Sequence, residues 1–141
     1  MCSLVELDRQ ECLELLGRAG IGRVVLSVNA IPMALPVNVA VLHGDVVFAT
    51  DEGSKLDSAL RGNVVSMEAD GVDSLYHTGW SVIVTGVAEL LTDPGDIKEA
   101  SRLPLHAWAP GPHRFFVRIP STVVSGRRIT WGSVTESPTG R

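Results

Sequence analysis

Val46-Val47-Phe48-Ala49-Thr50-Asp51-Glu52-Gly53-Ser54-Lys55-Leu56 passes from an apolar, strand-like run, through a glycine, into the first turn of a short helix. The apolar lead-in from Val46 has β character. Ser54 with Asp57 three residues on reads as a helix start, and Leu56, Ala59 and Leu60 then recur at helical spacing. Gly53 permits a tight approach of the backbone. A helix starting near Ser54 leaves backbone N–H groups beside the hydroxyls of Thr50 and Ser54 and the ammonium of Lys55, a donor set that suits a phosphate. The plainer reading is a capped surface helix with a solvated lysine, and the acidic Asp51 and Glu52 weigh on that side unless they point away.

Outward from this junction the chain reads as strands joined by tight turns. Upstream, Asp8 with Glu11 forms a capping pair for an opening helix within Leu4–Gly17, carried by Leu13, Leu15 and Leu16. Ile21 to Val28 is a strand and Asn29-Ala30-Ile31-Pro32 its turn. Met33 to Leu42 is a second strand, in which Pro36 removes a ladder donor and demands an edge, bulge or bend. His43-Gly44-Asp45 turns the chain into the strand of the opening stretch. Downstream, Asn63 to Asp70 alternates as a fourth strand, followed by a polar connection from Gly71 to Gly79. Trp80 to Leu90 is the longest strand signal, with a bulge or sharp bend expected at Gly86. Asp93-Pro94 opens a second helix. Phe115 to Ile119 is the sixth strand, which Thr122–Ile129 extends or returns beside, and 131–141 is expected to be a flexible tail.

With 141 residues and 45% hydrophobic content, the chain suits one domain, 1–141, with a sizeable core. Many Val, Leu, Ile and Ala residues, punctuated by Gly and Pro, give a mainly β composition with short helices, so a small antiparallel barrel is favoured over a doubly wound parallel sheet. A net charge of −4 argues against a general nucleic-acid binder. A signal peptide and a bilayer-spanning apolar run are both missing from the sequence, so a cytoplasmic protein is expected. Cys2 and Cys12 lack redox or metal spacing and read as free thiols. His43, His77, His106 and His113 lack metal-ligand spacing, so no metal site is expected.

In their order and spacing, Gly22-Arg23-Val24, Leu35-Pro36-Val37-Asn38, Gly53-Ser54-Lys55-Leu56, Gly79-Trp80-Ser81-Val82, Trp108-Ala109-Pro110-Gly111 and Ser125-Gly126-Arg127-Arg128-Ile129 resemble the pyridoxamine 5′-phosphate oxidase-like superfamily, across roughly Leu7 to Ile129. The resemblance implies a six-stranded, Greek-key-like antiparallel split β-barrel. It also implies a homodimer holding FMN, or in some relatives the deazaflavin F420, in a groove between subunits. Carried over by position, Thr50, Ser54 and Lys55 hold the cofactor phosphate, Pro36, Val37 and Asn38 pass along the ring system, and Trp80 and Ser81 line the groove. It implies a flavin-dependent oxidoreductase acting on a small molecule; haem binding and a non-catalytic flavin carrier are the other uses of this fold. A catalytic acid–base pair is not required, because the flavin supplies the redox chemistry. Arg127-Arg128-Ile129-Thr130-Trp131 does not match the basic, His-containing substrate motif of pyridoxamine phosphate oxidases, so vitamin B6 oxidation is not the expected activity.

Among residues outside this pattern, Glu68 and Asp70 share one strand face and read as a solvated acidic pair. Arg114, Arg118, Arg127 and Arg128 make the C-terminal part locally basic, and pairing with acidic residues is the expected use, with Arg127 and Arg128 kept as candidates near the pocket.

Overall fold

The computed structural model describes residues 2–51, 55–105 and 114–131. In chain order its elements are β1 (Cys2–Glu6), α1 (Arg9–Ala19), β2 (Ile21–Val28), β3 (Ile31–Leu42), β4 (Asp45–Asp51), α2 (Lys55–Leu60), β5 (Val64–Asp73), β6 (Thr78–Val87), β7 (Glu89–Leu90), α3 (Pro94–Ser101), β8 (Arg114–Ile119) and β9 (Val123–Trp131). The strands follow one antiparallel order, β1-β9-β6-β5-β2-β3-β4-β8-β7, which does not close on itself. The fold is the expected mainly β, antiparallel split barrel.

Local chemistry explains most of these elements. Asp8 caps α1, its carboxylate accepting the Glu11 N–H at 2.8 Å, and the helix sends Cys12 and Leu16 into the core. Two hairpins depend on left-handed turns: Asn29 and Ala30 (φ 51° and 65°) join β2 to β3, and His43 and Gly44 (φ 52° and 82°) join β3 to β4. Two consecutive positive-φ residues match the twist of the flanking strands and set the register of both hairpins.

The strand β3 carries the architecture. Its first eight residues pair with β2, from Ile31 opposite Val28 to Asn38 opposite Ile21. Its last four, Val39 to Leu42, pair with β4. One strand thus passes from one half of the barrel to the other, and Pro36 lies on the part of it where one edge is free of ladder partners, as its missing N–H requires. The main core lies inside the barrel, where Val24, Val39, Phe48, Met67, Val82 and Val84 meet α1. A second cluster, including Val47, Ala49, Ala100 and Leu105, lies on the other face of β4, under α3.

Four expectations are corrected. Among the described residues there are nine strands where six were expected, within the same split barrel: residues 2–6 form a strand instead of the start of a helix, and Glu89-Leu90 forms its own short strand on β8. The return after Ile119 joins neither side of β8; β9 pairs with β6 and β1. The connection expected at Gly71–Gly79 is mostly ladder, since β5 and β6 pair continuously from Val64–Val87 to Asp73–Thr78. That unbroken register also means Gly86 makes no bulge; a Cβ there would press into the Pro120 carbonyl oxygen, and this close approach is what requires glycine.

Candidate functional site

Alternation along β2, β5, β6 and β9 places one set of side chains inside and the other on an outer sheet face. Arg23, Glu68 and Ile83 lie side by side on that outer face through the pairs Arg23–Glu68 and Glu68–Ile83, and Pro36 joins them through its pair with Arg23. Further along, Asp70, Ser81 and Arg127 form a second row. The rest of this face mixes Ser27, Ser66, Thr85 and Ser125 with exposed apolar side chains. Ile21, Val25, Val64, Ile83, Val87 and Val123 are all exposed there, from 38% for Val25 to 67% for Val64. Six exposed apolar side chains gathered on one sheet face mark it as a contact surface.

A charged cluster sits within it. Arg23 Nη1 donates to Glu68 Oε1 at 3.1 Å and to Asp70 Oδ2 at 3.2 Å, so one guanidinium bridges two carboxylates. Partial burial pushes the Glu68 carboxyl above its ordinary range; hydrogen bonding and repulsion from Asp70 add to the rise, and Arg23 opposes it. The acidic pair expected to be merely solvated is therefore organised by an arginine. Sequence periodicity put Glu68 and Asp70 on one face, but their partner is 45 and 47 residues away, visible only through strand register.

The residues expected to contact a cofactor fall into two groups. Pro36 is exposed on the outer face, while Val37 points inward and is 6% exposed, leaving its backbone as the part open to a ligand. Asn38, half-buried, donates from Nδ2 to the Gly20 carbonyl at 3.4 Å, which tethers the end of α1 to β3. Because Val39 opposes Phe48, Val37 and Thr50 stand two residues beyond that pair, where β3 and β4 part. Thr50 is buried on the strand face that carries Val46 and Phe48. Lys55 begins α2; Ser54 lies outside the described residues, as do Glu52, Gly53 and the Trp108–Gly111 stretch.

Trp80 and Ser81 form the second group, on β6. Counting β3, β2, β5 and β6, three strand spacings separate them from Pro36–Asn38, about 14 Å. Ser81 faces outward with Asp70 and Arg127, and Trp80 packs partly against the core. Its indole lies across Gly71 on the paired strand: a Cβ on Gly71 would come within 2.5 Å of Nε1 and 2.9 Å of Cε2. Together these residues border a cavity of about 460 Å³ that also takes in Gly79, Arg127 and Ile129. A flat aromatic wall, a hydroxyl and a guanidinium around a space of that size suit a planar, partly polar organic ligand.

The sequence matches the family described as pyridoxamine 5′-phosphate oxidase over residues 8–128. The chain belongs to the pyridoxamine 5′-phosphate oxidase-like family. It is 40% identical over 137 residues to the Mycobacterium tuberculosis protein Rv0080, covering 94% of this chain and 90% of that one. The FAD-binding protein from Mycobacterium smegmatis is similar in structure, with a TM-score of 0.78 and 38% identity, over 92% of this chain and all of that one. An FAD-binding protein from Mesorhizobium loti superimposes with a TM-score of 0.73 at 25% identity, over 92% of this chain and 99% of that one. The family's split barrel accounts for the parting of β3 and β4 and for the open strand order. No helix among the described residues is long and apolar enough to cross a membrane.

Proposed function

We propose that this chain is a homodimeric flavin-binding oxidoreductase whose cofactor lies against the outer sheet face, in a groove that a second copy completes. The observation that carries the reading is the coincidence, on one face of one sheet, of an exposed apolar patch with Pro36, Ser81 and Arg127. Apolar surface of this extent is costly to leave in water, and a symmetric dimer covers it while creating a sheltered seam. The seam would take an isoalloxazine ring, with Pro36 and the Val37 backbone along one side and Trp80 and Ser81 toward the other. Lys55, with Ser54 and Thr50 nearby in the chain, would hold a phosphate of the ligand.

These residues fit the group. A planar ring needs apolar walls and a few oriented donors, and the outer face supplies both. When bound, a flavin supplies hydride or electron transfer at its ring. The protein's part is to bind and orient it, to exclude water with the apolar patch, and to leave room for a small-molecule substrate. FMN is the flavin implied by the resemblance. Relatives named as FAD-binding at 38% and 25% identity make FAD an equal first test, and F420 is the third.

Purified protein is to be titrated with FMN, FAD and F420 while ring fluorescence and absorbance are followed, then assayed for hydride exchange with NAD(P)H or a reduced deazaflavin. Saturable binding with turnover supports the oxidoreductase reading. Binding without exchange from any donor assigns a carrier role, and failure to bind all three overturns the proposal.

A further inference from the structure

A second cluster of chemistry-bearing side chains lies elsewhere on the molecule, between the β3–β4 turn and α3. His43 projects from the turn, and Asp96 and Glu99, three residues apart, share one face of the helix. The imidazole Nε2 is 3.0 Å from Glu99 Oε1 and 3.9 Å from Asp96 Oδ1, and the three donor atoms all lie within 4.8 Å of one another. We propose that His43, Asp96 and Glu99 bind a divalent transition-metal ion, with Zn2+ as the best-matched probe, through one imidazole nitrogen and two carboxylate oxygens.

The geometry is close to what such an ion needs. Tetrahedral Zn2+ with N and O ligands at about 2.0–2.1 Å places those ligands about 3.3 Å apart, and the two distances from His43 bracket that figure. A small turn of the Asp96 and Glu99 side chains closes the remaining span. The mixture of one nitrogen and two oxygens favours Zn2+ or its neighbours over Mg2+ or Ca2+, which prefer oxygen throughout.

The surroundings support the carboxylate that must hold still. Arg118 Nη1 lies 3.8 Å from Asp96 Oδ2, the oxygen turned away from His43, so it orients the carboxylate and leaves Oδ1 free for an ion. Arg118 is itself fixed by Glu89, with Nε at 2.9 Å from Oε1. Asp45 stands nearby as a further negative charge, its Oδ1 accepting the Ser121 N–H at 3.0 Å. Four carboxylates against one guanidinium leave this corner attractive to a cation. His43 and Glu99 are exposed and Asp96 is partly so, so an ion can enter and water can fill the remaining coordination position. A bound ion would pin α3 to the β3–β4 hairpin and close the small core beneath that helix.

Metal-stripped full-length protein is to be titrated calorimetrically with Zn2+ and Mg2+ at about pH 8, on the alkaline side of the ordinary imidazole range because the hydrogen bond to Glu99 raises the His43 pKa and the ion must displace that proton. The expected result is one Zn2+ per chain with micromolar affinity, unaffected by excess Mg2+. His43→Ala and Glu99→Gln should each weaken it at least about tenfold, while His77→Ala leaves it unchanged. Co2+ in place of Zn2+ should give a visible ligand-field absorption that both site variants lose. Circular dichroism of the stripped variants verifies that they are folded. Zn2+ binding that survives both substitutions, or no binding below millimolar concentration, overturns the assignment.

Discussion

Truncating Ile83 to alanine tests the proposed dimer where it is most exposed to error. Ile83 lies on the outer face of β6, between Glu68 of β5 and Ser125 of β9, and 42% of it is open to solvent. Fully burying an isoleucine side chain is worth about 1.5–3 kcal/mol, so covering the exposed fraction is worth about 0.6–1.3 kcal/mol. A two-fold dimer presents the residue twice, giving about 1–2.5 kcal/mol lost on substitution, or a dimer Kd raised about 5- to 70-fold. Dilution series followed by sedimentation velocity or mass photometry read that change directly. Ile97→Ala is the control, since Ile97 has similar exposure (38%) but stands on α3, away from this face, and should leave the Kd where it was. An Ile83→Ala protein that dimerises as tightly as the wild type, or a wild type monomeric at every concentration, would refute the assignment of this face as the subunit contact.

Other predictions follow from single residues. Lys55→Ala should weaken flavin binding at least tenfold, about 1.4 kcal/mol, in a fluorescence titration; unchanged affinity would count against a phosphate held near the start of α2. Gly126→Ala should destabilise the fold by about 1–3 kcal/mol in urea melts, because its Cβ would come 2.6 Å from Cys12 Sγ, and Cys12→Ala in the same chain should recover part of the loss, the Ser81 carbonyl oxygen at 3.0 Å remaining in the way. Glu68→Gln removes a carboxyl whose folded-state pKa is raised. Wild-type stability from that group is full below the ordinary glutamate value of about 4.3 and falls as pH rises through the raised one. The variant should therefore match the wild type in acid and exceed it near neutrality, and a stability difference independent of pH would contradict the burial argument.

Much of the barrel was legible because its devices are local. The alternation of β5, the Asp8 cap and the apolar lead-in of β4 are each written within about ten residues, and each appears where the pattern puts it. The elements that escaped are defined by distant partners. Residues 2–6 are a strand because β9 pairs with them, with Leu4 opposite Ile129. The strand character of 122–129 was legible but its partners were not, since β9 pairs with β6 and β1 instead of β8. Gly86 shows the same limit: a glycine in a strand signals that something comes close, but not that it is a carbonyl from the turn before β9. The side-chain clusters were hidden more deeply. Arg23 meets Glu68 only through the β2–β5 register, and His43 meets Glu99 across 56 residues, so histidine spacing along the chain carried no trace of that group. The order of weak motifs, by contrast, did identify the family, since a shared fold preserves order even where each motif is short.

The sharing of β3 between two ladders bears on how the molecule comes apart. Ile31–Asn38 and Val39–Leu42 are one continuous backbone, so peeling β4 away strains the strand that β2 holds, and the reverse is equally true. Neither half has a hinge at which to let go alone. Amide exchange should therefore report a common opening free energy for Val24, Val39 and Val46, and denaturant should melt both halves in a single cooperative step.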